Sequence, residues 1–233
     1  IFAEEAGKKI NNVLTPKEVI GLVAELIGDN KDNNSLCDPV SGSGTLLVEV
    51  GKRVGIRGAN IFGQEANWNQ YALTKMNLML NGFKDSTFFW GDSLSNPKLT
   101  DDGGLKRFDI VASIPPFADK WATEEAEFDR YGRFQYGIPP RSQATWAYIS
   151  HILASLKPNG RAVVVVPAGV LFRTSESKIR HQIIEHNLLE AVIELPQNLF
   201  YGAAISTAIL VFRKDRKTTQ TLFMDARKGY ISN

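Results

Sequence analysis

The sequence has little sulfur and little imidazole: one cysteine, Cys37, and three histidines among 233 residues. A lone thiol excludes an internal disulfide framework and a cysteine-built zinc site, and three scattered histidines leave little for any other metal centre. No apolar run reaches the roughly 20 residues that a membrane-spanning helix needs, and no leader with a basic start and a short apolar core opens the sequence. Repeats and low-complexity tracts are missing too. Nor does one sign of charge dominate: the net charge is +2, which permits a nucleic-acid partner without requiring one, since a local basic patch matters more than the total. These absences leave a soluble α/β domain, expected in the cytoplasm and without a metal. The first residue is Ile1 rather than Met, and the chain is expected to be one domain of something longer.

What is present is an alternation of strand-like and helix-like segments. Thr15-Pro16-Lys17-Glu18 reads as a helix start, with Thr15 as cap and Glu18 closing a capping box. Val19, Ile20, Val23, Leu26 and Ile27 follow at helical spacing, and Gly28 can end the helix. Strands are expected over 35–40, 61–65, 87–90, 108–113, 161–166, 189–195, 205–212 and 221–224, with helices from about Thr45, over 69–80, over 144–156 and near 175–186. The last two strands are too close together for a helical crossover, so an antiparallel finish is expected. Between residues 118 and 143 lies a long irregular stretch rich in charge and aromatics. Repeated strand–helix units imply a mostly parallel sheet covered on both faces, with a ligand beyond the carboxyl ends of its strands.

Four strand ends carry residues suited to that ligand. Asp38-Pro39-Val40-Ser41-Gly42-Ser43-Gly44-Thr45 ends the first strand, and its glycines let backbone approach a ligand. It is neither a dinucleotide fingerprint, because Leu47 stands three residues after Gly44, nor a phosphate-binding P-loop, because no lysine follows. Glu65, 21 residues beyond Gly44, ends the second strand and suits two ribose hydroxyls; alone it could be a solvated carboxylate. Asp92, with Ser93, ends the third and can accept from an exocyclic amine such as that of adenine, or simply close an Asx turn. Ile114-Pro115-Pro116-Phe117 ends the fourth, where two prolines orient a carbonyl that no strand ladder needs, or merely stop a strand. The set on one sheet edge outweighs each bland reading taken singly.

In this order the motifs resemble amino-group DNA methyltransferases of the gamma arrangement, and most closely the methylation subunit of type I restriction–modification systems. The runs Leu156-Lys157-Pro158-Asn159-Gly160-Arg161, Val166-Pro167, Leu195-Pro196-Gln197-Asn198-Leu199-Phe200-Tyr201-Gly202 and Ser206-Thr207-Ala208-Ile209-Leu210 extend the resemblance over nearly the whole chain. It implies an S-adenosylmethionine-dependent methyltransferase (Rossmann-like) fold whose seven-stranded mixed sheet is mostly parallel, with an antiparallel C-terminal strand. It also implies S-adenosylmethionine as cofactor: Asn12, Val13, Leu14, Thr15 and Pro16 over the methionine end, Asp38 and Ser41 to Thr45 beneath it, Glu65 on the ribose, Asp92 and Ser93 on the adenine. Double-stranded DNA, a sequence-specificity subunit, a second methylation subunit and a restriction subunit are the implied partners.

The implied reaction is methyl transfer to N6 of an adenine flipped out of the duplex. In the family an Asn or Asp before Pro-Pro accepts one N6 hydrogen, the next backbone carbonyl accepts the other, and the aromatic after Pro-Pro stacks on the base. Here the acceptor position is Ile114, whose alkyl side chain accepts nothing. Losing one such electrostatic partner typically costs about 10²–10³ in rate, so impaired transfer is expected. A silent cofactor-binding scaffold and a protein-glutamine methyltransferase are the alternatives. In the 118–143 stretch, Trp121, Phe128, Tyr131, Phe134 and Tyr136 alternate with Lys120, Arg130, Arg133 and Arg141. This suits a loop that meets phosphates and an extruded base, Arg133 included, or an aromatic lid packed on the domain.

Overall fold

The computed structural model describes residues 15–28, 34–200 and 205–228. Its helices are α1 (Lys17–Ile27), α2 (Thr45–Val54), α3 (Trp68–Leu80), α4 (Thr145–Ala154) and α5 (Ser177–Glu185). The strands are β1 (Leu36–Asp38), β2 (Ile61–Glu65), β3 (Thr87–Trp90), β4 (Thr100–Asp101), β5 (Gly104–Leu105), β6 (Phe108–Ser113), β7 (Leu156–Pro167), β8 (Leu189–Glu194), β9 (Thr207–Arg213) and β10 (Leu222–Asp225).

Eight strands form one sheet in the order β10-β8-β9-β7-β6-β1-β2-β3, while β4 and β5 form a separate hairpin. The mostly parallel sheet is as expected, with one strand more than the seven anticipated. The antiparallel finish is β9, which runs against both β7 and β8. The last strand, β10, does not pair with β9; it crosses to the far side of β8 and lies parallel to it. The hairpin was not anticipated, although Asp102-Gly103 signals it: both residues have positive φ (45° and 81°), as a tight two-residue turn requires.

Strand side chains alternate between two cores. Ile110, Ala112, Val163, Val165, Ile209 and Val211 face α1, α2 and α3, whereas Val111, Ala162, Val164, Val166, Leu210 and Phe212 face α4 and α5. The continuous apolar runs of β6, β7 and β9 follow from burial on both faces. Leu47 on α2 is wholly buried, and truncating such a side chain to alanine costs about 2–5 kcal/mol.

The start of α1 differs from expectation. Its N-cap is Pro16, held extended at φ −61° and ψ 143°, with no side-chain cap. The Pro16 carbonyl takes the first helical bond, from Ile20 N–H, so the Thr15 capping box does not open the helix. The far end is as read: Gly28, at φ 78°, returns its N–H to the carbonyls of Ala24 and Glu25.

Candidate functional site

From β1 the chain steps outward through β2 to β3, then returns to the other side of β1 as β6. The crevice between the ends of β1 and β6 is therefore the topological switch point, where ligands bind in open α/β sheets. The glycine turn leaves β1 there and the Pro-Pro segment leaves β6 there. A hydrogen bond ties the two strand ends together, Ser113 Oγ donating to Asp38 Oδ1 at 2.7 Å. Asp38 also accepts from Val40 N–H at 3.0 Å. Burial pushes its pKa up to about 7 against the pull of these two bonds, and Glu65 nearby adds to the rise.

The turn itself is held from three sides. Ser41 N–H and Oγ both donate to the Gln64 carbonyl at 3.1 Å, and Gly44 N–H closes the turn onto the Ser41 carbonyl at 2.8 Å. The Thr74 hydroxyl on α3 lies 2.5 Å from the Gly42 carbonyl, and Asn77 Nδ2 donates to the Ser43 carbonyl at 3.2 Å. Gly44 has φ 74°, and a Cβ there would come within 2.5 Å of Thr74 Cγ2; conformation and space both demand glycine. Ser43 and Thr45 remain exposed, their hydroxyls 2.9 Å apart.

Glu65 accepts from Gly42 N–H through Oε2 at 2.8 Å and from Asn67 N–H through Oε1 at 2.7 Å. Burial raises its pKa, while these amides and Ala66 oppose the rise. A carboxylate offers about four lone-pair sites, so acceptor capacity for two hydroxyls remains. Asp92 closes the Asx turn allowed for in the sequence, Oδ1 taking Leu94 N–H at 2.8 Å and Oδ2 taking Ser95 Oγ at 3.2 Å. It too retains acceptor capacity. The Ser93 hydroxyl is buried and donates to the Pro39 carbonyl, joining this turn to the glycine turn.

Several neighbours carried no signal in the sequence. Trp68 opens α3 just after Glu65, Trp90 ends β3 just before Asp92, and their exposed rings meet edge to face at 5.1 Å. Asp119 is partly buried and faces Asp92, and both effects raise its pKa. Tyr148 on α4 is buried, and its pKa is raised by that burial and then by the carboxylates of Asp92, Asp119 and Glu65. Acidic groups from two strand ends and the loop after β6 thus lie round one phenol, an arrangement that favours a cationic ligand with hydroxyl and amine donors. Spacing along the chain does not show this, because Tyr148 and Asp119 reach the site only through the packing of α4.

Ile114 is half-buried against the core that carries α1 and α2, as is Phe117, whose ring meets Phe200 edge to face at 5.2 Å. Pro115 is buried and Pro116 partly so. Thr15 and Pro16 are partly buried ahead of α1. Asn12, Val13 and Leu14, expected over the cofactor, and Tyr201 and Gly202 lie outside the described residues.

The 118–143 stretch divides between packing and display. Trp121 packs with Phe134, Leu94, Ala144 and Tyr148, and its Nε1 donates to the Pro140 carbonyl at 3.1 Å. Arg133, expected to meet phosphate, is instead buried at 4% exposure and paired with Asp129 at 2.8 Å. Burying a guanidinium requires a partner, and Asp129 four residues earlier supplies it. Phe128 is 86% exposed, and Arg130 stacks over Tyr131 in solvent at 4.8 Å. A cavity of about 480 Å3 between α5 and β10 contains none of the candidate cofactor or catalytic residues; the strand-end chemistry, not volume, locates the site. Among the described residues no cluster suits a metal ion, and no helix is long and apolar enough to cross a membrane.

Comparison with known proteins agrees with this fold. The chain is 30% identical to the HindI type I restriction enzyme methylase subunit of Haemophilus influenzae over its full length, covering 53% of that protein. It is 33% identical to the MjaVIII methylase subunit of Methanocaldococcus jannaschii, covering 42% of it. The solved type I restriction–modification methyltransferase subunit of Streptococcus thermophilus superposes with a TM-score of 0.87 at 30% identity, over 95% of this chain and 49% of that one. A Listeria monocytogenes structure described as a class I S-adenosylmethionine-dependent methyltransferase shares the fold, with a TM-score of 0.77 at 21% identity, over 97% of this chain and 69% of that one. The chain thus spans about half the length of the curated relatives it matches. With the N-6 DNA methylase profile matching residues 1–233, the chain belongs to the N-6 DNA methylase family.

Proposed function

We propose that this domain binds S-adenosylmethionine and serves as the adenine-N6 DNA methyltransferase domain of a type I methylation subunit. The observation that carries this is the convergence of the glycine turn, Glu65, Asp92 and Pro115-Pro116-Phe117 at the switch point of one sheet. The cofactor supplies an activated methyl group on a cationic sulfonium. The donor set fits it: oriented amides and carboxylates without a phosphate-binding lysine. Asn12 to Pro16 with Asp38 and Ser41 to Thr45 take the methionine end, Glu65 takes the ribose hydroxyls, and Asp92 with the Ser93 segment takes the adenine amine. Trp68 and Trp90 rim that end of the site.

On the target side, Phe117 offers a ring face to a flipped base, and the Pro115 carbonyl accepts one hydrogen of its amino group. The second hydrogen faces the alkyl side chain of Ile114, which leaves a polar edge unpaired in a partly buried site. This one position favours a second reading, a cofactor-binding scaffold that transfers methyl poorly or not at all. In either case double-stranded DNA, a specificity subunit, a second methylation subunit and a restriction subunit are the proposed partners, in the cytoplasm. Titration calorimetry is the test. Saturable binding of S-adenosylmethionine, lost in Glu65→Ala, is expected, and a folded domain that binds none at millimolar cofactor would refute both readings.

A further inference from the structure

Arg133 makes several contacts beyond its ion pair with Asp129. Its Nη1 donates to two consecutive backbone carbonyls of the turn after β3, Ser93 at 3.2 Å and Leu94 at 2.8 Å. Its Nε donates to Asp129 Oδ1 at 2.8 Å, and its own N–H donates to Asp129 Oδ2 at 2.6 Å. Nη1 also lies 3.4 Å from Nδ1 of buried His151 on α4. The clamped turn is the one whose Asp92 carboxylate holds the Leu94 amide and whose Ser93 hydroxyl reaches the Pro39 carbonyl. One buried guanidinium thus fixes the Asp92 turn to the 118–143 stretch and to α4 together. A planar fork with five N–H donors suits this task, because it can serve two carbonyls and a carboxylate at once.

We propose that Arg133, oriented by Asp129, is a positioning residue for the adenosine end of the cofactor and couples the 118–143 stretch to the cofactor site. The proposal rests on the cofactor reading above. Releasing the clamp lets the Asp92 turn drift, so affinity for the adenosine part falls while the sheet stays intact. Losing charge-assisted bonds of this kind corresponds to at least about tenfold in affinity.

The test compares the parent with Arg133→Met, Arg133→Lys and the double variant Arg133→Met/Asp129→Asn, which leaves no buried carboxylate unpaired. Calorimetry follows S-adenosylmethionine and adenosine separately, and hydrogen exchange follows the amides of Leu94 and Asn96 beside those of β7. Expected are a fall of about tenfold or more for both ligands, faster exchange at residues 94 and 96, unchanged protection in β7, and partial recovery in Arg133→Lys. A well-folded double variant with parental affinity for adenosine would overturn the proposal, as would unchanged exchange at residue 94. A parent that binds neither ligand while its double variant still loosens the turn would instead sink the cofactor reading, and with it the positioning role.

Discussion

Gly44 adopts a backbone conformation that other residue types resist, and His151 is buried beside a guanidinium. At Gly44 an L side chain must adopt the left-handed region, costing about 1–2 kcal/mol, and its Cβ must displace Thr74, whose Cα would lie 3.3 Å away. Gly44→Ala is therefore expected to unfold at lower urea by at least that energy and to bind S-adenosylmethionine more weakly, since Thr74 also holds the Gly42 carbonyl. Urea titration with parental stability would remove the steric reason for the turn. At His151, burial and then the Arg133 guanidinium drive the pKa from 6.5 down to about 3. The unfolded chain takes up a proton below about pH 6.5 that the folded chain refuses, so this residue costs stability as pH falls from there towards 3. Asp38 works the other way: its pKa is raised from 3.8 to about 7, so its contribution is full below 3.8 and is lost as pH rises through about 7. Relative to the parent, His151→Gln should therefore gain stability as pH falls from 7 to 4.5, with Asp38 common to both. Equal slopes would mean that His151 is not buried neutral.

Elements differed in how far the sequence disclosed them. The ranges of β2, β3 and β6 follow directly from short apolar runs between turn residues, and β6 and β2 flank the strand that bears the glycine turn. The insertion of β9 between β7 and β8 could not be read, because pairing partners far apart along the chain leave no local periodicity. The two readings of Arg133 stayed open for a related reason: alternating cations and aromatics describe a solvent-facing loop and a packed one equally well, and the contacts with Asp129, Ser93 and Leu94 decide between them. The proposed DNA contact of this stretch then falls to its exposed side, which carries Arg130 and Phe128. Arg130→Ala is expected to weaken DNA binding by the assembled complex and to reduce its salt slope by about one. Salt titration with an unchanged slope would leave Arg130 and Phe128 as mere surface.

At the scale of the molecule, the proposed cofactor site draws on four strand ends, α3 and α4, whereas the proposed transfer chemistry depends on one position. The proposed cofactor residues Asp38, Ser41 to Thr45, Glu65, Asp92 and Ser93 stood out in the sequence because they follow strand ends in chain order. Tyr148 did not, because only the packing of α4 brings it to that edge, and Asp119, Trp68 and Trp90 had no motif of their own to mark them. Family membership and fold agree with the cofactor half of the account, and the proposed limit on turnover rests on Ile114. The most direct measurement is labelled methyl transfer from S-adenosylmethionine to DNA by the parent and by Ile114→Asn, each assembled with its specificity subunit, with cofactor affinity measured in parallel. The account predicts equal affinity and a rate raised by about 10²–10³ in Ile114→Asn; a parent that already methylates as fast as Ile114→Asn would contradict it.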